Sequence, residues 1–600
     1  MDSQDTLRKL GVTVEDLSGP KVDRRTTMKL LAATGVTAMA GCAGSDDSDD
    51  GDDGNGGGTG GDDDGTGADP SDIQMGGTLQ AASLNGEWDN VEPLRIAASQ
   101  VQQWLRNYAH GGLRTNGDLE VVGEIATDWE VDLDPFSITL DLREGVQFHS
   151  GREVLAEDFQ FAADRARNHP ESNIVGESNF LQDPVAGQGV EVLDDYRVRY
   201  NYSEPYAPGL IDLTTRGRIA TPLDQNAIDE MGDDQHNLTP VGTGPFEVTE
   251  HVTGETLSME AFDDFYMEDE AGNSIPYLDA IDIDFIPETE TAISALVTGE
   301  IEFVDNVPPG QAGQLDGQGG ARLEIEPLLR YEALVLNHAR DFAETVDQRR
   351  AIAKLFDNER FVEQALDGYG SPLFGTLTPT HEWVFRDEFD EPGAPPGGEL
   401  KDPTQRFDPE EGRRLLEETG LAGEEFTIKT TDGNERTARI ARSILEDNSN
   451  GMLSVEVELI TFSQLVALLD DPHDFDATFL GGGGPDPDGM LYNFYRLPPE
   501  EKHPELADTE FAGPRSEGYD GIWNEQRYIN QDVHDMLAEQ RTLIDQDERK
   551  EVLWEIEDTL ISDVARVFMS VDDSILGVGE DVNDFSIRDE NQDFHQVWKS

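Results

Sequence analysis

Whatever this chain folds into must tolerate a large surplus of negative charge. Its 600 residues include 126 Asp or Glu against 43 Lys or Arg, a formal net charge of −83. Nine of the cations are lysines, which leaves 34 arginines. In dilute buffer such a surface repels itself. At about 1 M salt the Debye length falls to roughly 3 Å and most of that repulsion is screened. The acids run through stretches that also pattern as helices and strands, so they are not an appended tail. The composition points to a protein built for very salty water. It argues against a nucleic-acid partner, because no basic stripe is present to neutralise phosphates.

The N-terminal segment reads as an address rather than a fold. Arg24 and Arg25 precede an apolar run from Met28 to Ala40 whose one charge is Lys29. About a dozen residues are too few for a membrane span, which needs about 20, but they suit the core of an export signal. The paired arginines mark the twin-arginine route. Met39-Ala40-Gly41-Cys42 resembles the lipobox of exported lipoproteins, in which the cysteine is lipidated. Cys42 is the single cysteine of the chain, so no internal disulfide is expected. Behind it, Ser45 to Pro70 holds one apolar residue, Ala68, and cannot pack a core. Residues 1–42 are therefore read as signal and 43–75 as an acidic tether. The body is expected on the outer face of the cell membrane, lipid-anchored.

The body shows no catalytic pattern. There is no G-x-S-x-G elbow and no phosphate-binding G-x-x-x-x-G-K-[ST] loop. His381-Glu382 opens an H-E-x-x-H pattern, but Phe385 stands where the second zinc ligand belongs. Asp486-Pro487-Asp488-Gly489 resembles part of a calcium loop, yet Gly484 and Tyr495 occupy its first and last ligand positions. With 126 carboxylates, acidic pairs arise by chance. No enzyme activity, cofactor or metal is expected.

Local patterning gives a mixed α/β body. Phe136, Ile138, Leu140 and Leu142 alternate with polar residues and predict a half-buried strand. Phe159, Ala162, Ala163 and Ala166 follow at helical spacing. Asp408-Pro409 and Gly420 bracket a helix, with Glu411 at the capping-box position. Leu553, Ile556 and Leu560 share one face of a later helix. At 600 residues, two to four domains are expected.

Several of these stretches carry a resemblance. Thr127 to Ala166, TDWEVDLDPFSITLDLREGVQFHSGREVLAEDFQFAADRA, resembles the signature of family 5 extracellular solute-binding proteins. PVGTGPFEV at 240–248, IPYLDAIDIDFIPETETAISALVTGEIEF at 275–303, ALVLNHAR at 333–340 and DQRRAIAKLFDNERFVEQALDGYG at 347–370 continue it in family order. The resemblance implies an α/β fold like that of periplasmic binding proteins: two lobes around a hinged cleft, plus an extra small α/β domain. Domain I would hold 76–112, 220–331 and 564–600, domain II 113–219, and domain III 332–563. It implies capture of a small solute, a peptide or oligopeptide first, for a permease and ATPase of the ATP-binding-cassette type, with the binding protein a monomer. A sugar or nickel ligand, delivery to a membrane sensor, a surface hydrolase and a structural surface protein are the alternatives.

The site departs from the family pattern. Peptide-binding members carry an aspartate in the loop before an acidic-Pro pair, where it holds the peptide's amino terminus. Here that loop reads TFLGGGGPDPDGMLYNFY, from Thr478 to Tyr495, and the aspartate position falls on Gly483. Gly481, Gly482, Gly483 and Gly484 would form a bare, flexible backbone. Either their amides line a pocket, or Asp486 or Asp488 shifts in to bind an amine. Trp88 and Tyr108 align with segments that approach ligand in relatives, and Tyr492 follows the glycines as a stacking surface. Core packing is the alternative for all three aromatics.

Overall fold

The computed structural model describes residues 73–84, 88–96, 98–174, 189–269, 271–315, 319–386, 405–470, 474–497, 524–588 and 591–600. Arg24, Arg25 and Cys42 lie outside these residues. A 13-stranded mixed sheet forms the frame. Its main path begins at Ser454–Leu459 and passes through Glu425–Thr430, Ala477–Phe479 and Arg330–Leu336 to the long strand Val567–Gly579. It continues through Phe303–Val304, Thr78–Ser83, Ala280–Phe285 and Thr256–Ala261 to Phe246–Val252.

Val567–Gly579 is 13 residues long and serves two lobes. Its first half pairs with Arg330–Leu336, and its second half pairs with Phe303–Val304 and Ala321–Pro327. Its burial is nearly continuous along both faces, as expected of a strand covered on each side. The chain crosses between the lobes a second time just beside it, where Pro327 ends one strand and Arg330 begins the next. Leu328 N–H donates to the Asp572 carbonyl at 2.9 Å across that crossing.

The first lobe carries an insert with its own sheet. Ala126–Leu133, Phe136–Leu142, Arg197–Asn201 and Gly189–Asp194 form four antiparallel strands under the helix Ala156–Asn168. The alternation at Phe136 predicts one wet face, and here the structure differs: Ser137 and Thr139 are buried too. The strand is central in its sheet, and the Arg199 guanidinium donates to Thr139 Oγ1 at 3.3 Å, so the polar face is covered by neighbours. The chain also joins the body earlier than residue 76. Ile73 packs against Ile275, Tyr277 and Trp598.

Helix ends follow their sequence signals, with one difference. Pro409–Thr419 is N-capped by Asp408, which accepts from Glu411 N–H at 3.1 Å, and Gly420 ends it at φ +79°. The expected return bond from Glu411 to the cap is not made. Glu411 binds Arg414, one turn on, and the Asp408 N–H donates to the Lys354 carbonyl instead. Gln546–Ser562 buries Leu553, Ile556 and Leu560 completely, each contributing about 2 kcal/mol of apolar transfer.

Buried ion pairs fasten the insert to the first lobe. Glu92 has no exposed side chain and accepts two bonds from Arg165, at 2.8 and 2.9 Å. Burial opposes its charge, but His236 and Arg165 outweigh burial and bring the carboxyl down to about 2. Ionised Glu92 therefore favours the folded state above its ordinary pKa of 4.5, and that contribution is lost as pH falls toward 2. It amounts to about 3 kcal/mol. Glu92→Gln should flatten the loss of stability between pH 4.5 and 2, and lower stability at pH 7 because Arg165 loses its partner. Circular dichroism melts against pH in multimolar KCl check both.

Candidate functional site

The register of the frame brings one group of strand ends to the lobe junction. Thr78–Ser83, Ala280–Phe285 and Phe303–Val304 run parallel. Phe303 pairs with Val578 and Val304 with Gly577, and the Val307 N–H then reaches the Ile575 carbonyl. The carboxyl ends of these strands thus point along Val567–Gly579 toward Asp573, where the lobes meet. Ligands of open α/β sheets bind outside such ends. Leu84 follows the first of them, and its N–H donates to Asp305 at 2.8 Å.

The glycines face this junction from the second lobe. Rather than a flexible loop, Gly481 to Gly484 continue the strand Ala477–Phe479 along Arg330–Leu336. Leu480 N–H donates to the Ala333 carbonyl and Gly484 N–H to the Leu329 carbonyl. The run is glycine because its neighbour lies too close for side chains. A Cβ on Gly481 would sit 2.3 Å from the Tyr331 carbonyl oxygen, and one on Gly482 would sit 2.8 Å from the Tyr331 ring. Gly483 meets Arg330 in the same way, at 2.5 Å. Tyr331 is itself fixed from below: its hydroxyl shares a 2.9 Å hydrogen bond with Tyr495, and Arg566 donates to it at 3.3 Å.

Pairing alternates along an antiparallel strand. Leu480, Gly482 and Gly484 turn their main-chain groups toward Arg330–Leu336. Gly481 and Gly483 turn theirs to the other side. Among the described residues no strand pairs with Gly482–Gly483 on that side.

Asp486 and Asp488 are anchors of this strand's far end. Asp486 caps the helix Pro487–Tyr495 by accepting from Asp488 N–H at 2.8 Å. Arg549 grips its carboxylate in a fork, with one bond at 2.7 Å. Asp488 is buried and Asp486 mostly so; Arg549 holds Asp486 below its ordinary value, whereas burial leaves Asp488 above its own despite Arg541 nearby. Asp488 accepts from Gln540 and lies 3.3 Å from Arg541. The expectation that either acid meets a ligand amine is therefore not met by this geometry, since each already faces a guanidinium. His381 closes the arrangement: its Nε2–H donates to the Gly484 carbonyl at 2.9 Å, and its Nδ1 lies 2.8 Å from the Thr378 hydroxyl.

The aromatic expectations divide. Trp88 and Tyr108 are core residues, with 2% and 0% of their surface exposed. Trp88 packs on Trp104 and Phe285, and the Tyr108 hydroxyl donates to the Val91 carbonyl at 3.0 Å. Neither presents a face to a ligand. Tyr492 is half-buried beside the site, and the Arg541 guanidinium lies 3.8 Å from its ring centre. Arg541, Arg549, Gln540 and His381 were not visible as site residues in the sequence. Each comes from a segment remote from the glycines, and no local spacing links them.

One further pair sits at the crossing. Burial raises Glu332 to about 7, Arg330 counters this from 3.2 Å, and Asp572 adds to it. No group of three or more His, Cys, Asp or Glu among the described residues is arranged to hold a metal ion. None of their helices is long and apolar enough to cross a membrane.

Comparison with known proteins agrees with this architecture. Residues 120–500 match the family model described as bacterial extracellular solute-binding proteins, family 5 middle. The chain is 23% identical over 427 residues to the oligopeptide-binding protein AppA of Bacillus subtilis, covering 68% of this chain and 74% of that protein. It is 24% identical over 411 residues to the dipeptide-binding protein of Escherichia coli, covering 64% and 72%. The structure of the Bacillus subtilis AppA with a nonapeptide superposes with a TM-score of 0.68 at 19% identity, over 88% of this chain and all of that one. The chain belongs to the family 5 extracellular solute-binding proteins, and it has their α/β binding-protein fold.

Two outcomes check the site. Gly481→Ala should destabilise the protein by about 1–3 kcal/mol, because the added methyl meets backbone, whereas Gly313→Ala, in open space, should not. Arg549→Met should cost up to about 3 kcal/mol by leaving the mostly buried Asp486 without its partner. Thermal melts in multimolar KCl measure both.

Proposed function

We propose that this protein captures a small extended solute at the lobe junction and delivers it to a membrane permease driven by a separate ATPase. The observation that carries the reading is the outward edge of the glycine strand. Gly481 and Gly483 turn main-chain groups to the side away from Arg330–Leu336; the Gly483 carbonyl lies close to Gly489 of the following helix, which leaves the Gly483 N–H and the Gly481 groups as the edge. An extended peptide can add to such an edge as one more strand, with main-chain bonds supplying affinity. Peptide is the favoured class, in keeping with the oligopeptide- and dipeptide-binding relatives. Recognition then rests on backbone amides, in place of the aspartate that Gly483 replaces. No covalent step is part of this reading.

The reading keeps residues 113–219 as an insert within a first lobe, and residues 332–563 as the second lobe. It also keeps residues 1–42 as an export signal and Cys42 as the lipidated anchor, with one copy of the chain as the working unit. Cys42→Ser should release the protein from the membrane fraction into the medium, and retention of the variant would remove the anchor from the account.

The solute class is tested by calorimetric titration in multimolar KCl with tri-alanine, longer alanine peptides, sugars and nickel ion. At about 100 times its dissociation constant a true ligand stabilises the fold by roughly 2.7 kcal/mol. Peptides should bind, and N-methylation of a peptide's backbone amides should weaken binding by tenfold or more. Binding of a sugar or nickel alone, or indifference to N-methylation, would overturn the strand-addition reading.

A further inference from the structure

Away from the crossing strands, the insert and the second lobe also meet at an arginine. Arg541 lies near the end of the helix Gln531–Thr542 in the second lobe. Its guanidinium sits between two tyrosine rings, 3.8 Å from the centre of Tyr492 and 4.8 Å from that of Tyr206. Tyr492 belongs to the second lobe, but Tyr206 belongs to the core of the insert carried by the first. Arg541 also donates to the Tyr206 hydroxyl at 3.0 Å, and its carbonyl accepts from the Ala207 N–H at 2.7 Å. Only 8% of the residue is exposed.

We propose that Arg541 is the clasp of this protein, a positioning residue that holds the second lobe against the insert and so closes the junction. Separation of the lobes takes Tyr206 and Ala207 away together. The guanidinium then loses one ring and one hydroxyl, and the Arg541 carbonyl loses its main-chain donor, in a single movement. Cation–π contacts strengthen when water is excluded, as here. A lysine keeps the charge but not the planar group that fits between two rings.

The clasp is wired to the glycine strand. Asp488, 3.3 Å from Arg541, and Tyr492, beneath it, both lie on the helix Pro487–Tyr495. That helix starts directly after the glycines, with Asp486 as its cap. A solute that orders the strand favours the helix position that Arg541 grips, and the grip favours the solute in return. This consequence for binding rests on the capture reading above, but the clasp itself does not.

Hydrogen exchange in the solute-free, full-length protein in multimolar KCl tests the clasp directly. The Ala207 amide should be protected in the parent protein. In Arg541→Met it should exchange at least tenfold faster, in Tyr206→Phe a fewfold faster, and Arg541→Lys should fall between the parent and Arg541→Met. Amides of Phe136–Leu142 and of Gln531–Thr542 should stay protected in all of them, which shows that neither the insert nor the helix has unfolded. Small-angle scattering should show a larger radius of gyration for Arg541→Met. An unprotected Ala207 amide in the parent, or equal exchange in parent and Arg541→Met, would overturn the proposal. Tri-alanine provides the coupled reading: its dissociation constant should rise about tenfold in Arg541→Met. If tri-alanine fails to bind the parent, the peptide reading fails while the exchange result still decides the clasp.

Discussion

The structure depends on one shared strand. Val567–Gly579 supplies ladder bonds to Arg330–Leu336 in one lobe and to Phe303–Val304 and Ala321–Pro327 in the other. Because it is continuous, it sets the register of both lobes at once. The carboxyl ends of the first lobe's parallel strands reach the junction because Phe303 and Val304 are registered on Val578 and Gly577. The glycine strand reaches it because Arg330 and Tyr331, its partners, leave the crossing immediately beside Asp572. A slip of one residue on either side would turn buried side chains outward and part the two halves of the site.

Arginine does the interior electrostatic work in a chain otherwise dominated by carboxylates. Arg106 meets Glu124 and Asp593, Arg165 meets Glu92, Arg386 meets Glu557, and Arg549 meets Asp486, all with little or no exposure. A guanidinium keeps its charge and presents a planar fork that matches a carboxylate. Burying an acid costs several kcal/mol unless such a partner is present. Several of the scarce cations thus stand where unpaired acids would be most harmful, and others, such as Arg414 and Arg439, pair with acids on exposed helix faces.

The fold was largely legible in the sequence. Alternation at Phe136 to Leu142, the Asp408-Pro409 start, the Gly420 stop and the Leu553, Ile556, Leu560 face all report local periodicity or capping, and each became the expected element. What failed locally failed for tertiary reasons. Ser137 and Thr139 are buried because neighbouring strands and Arg199 cover them, and Glu411 found Arg414 before its own cap. The site was less legible. Four consecutive glycines read as slack when taken alone, yet close approach to Arg330 and Tyr331 explains three of them. Asp486 and Asp488 looked free until Arg541 and Arg549 arrived from more than 50 residues further along the chain. Trp88 and Tyr108 showed by alignment only that they lie near the site in sequence, which does not distinguish a core ring from a lining one.

The two ends of the folded body meet on the same lobe. Ile73 packs on Trp598, and the Lys599 ammonium donates to the Thr78 carbonyl at 2.8 Å and pairs with Glu302. Whatever restrains the preceding segment therefore restrains the first lobe and its insert, and leaves the second lobe attached through two adjoining strands and the Arg541 contact. Seen from a fixed surface, the molecule has a stator and a rotor. The glycine strand travels with the rotor, so on the capture reading proposed above a solute seated on it moves toward the stationary half.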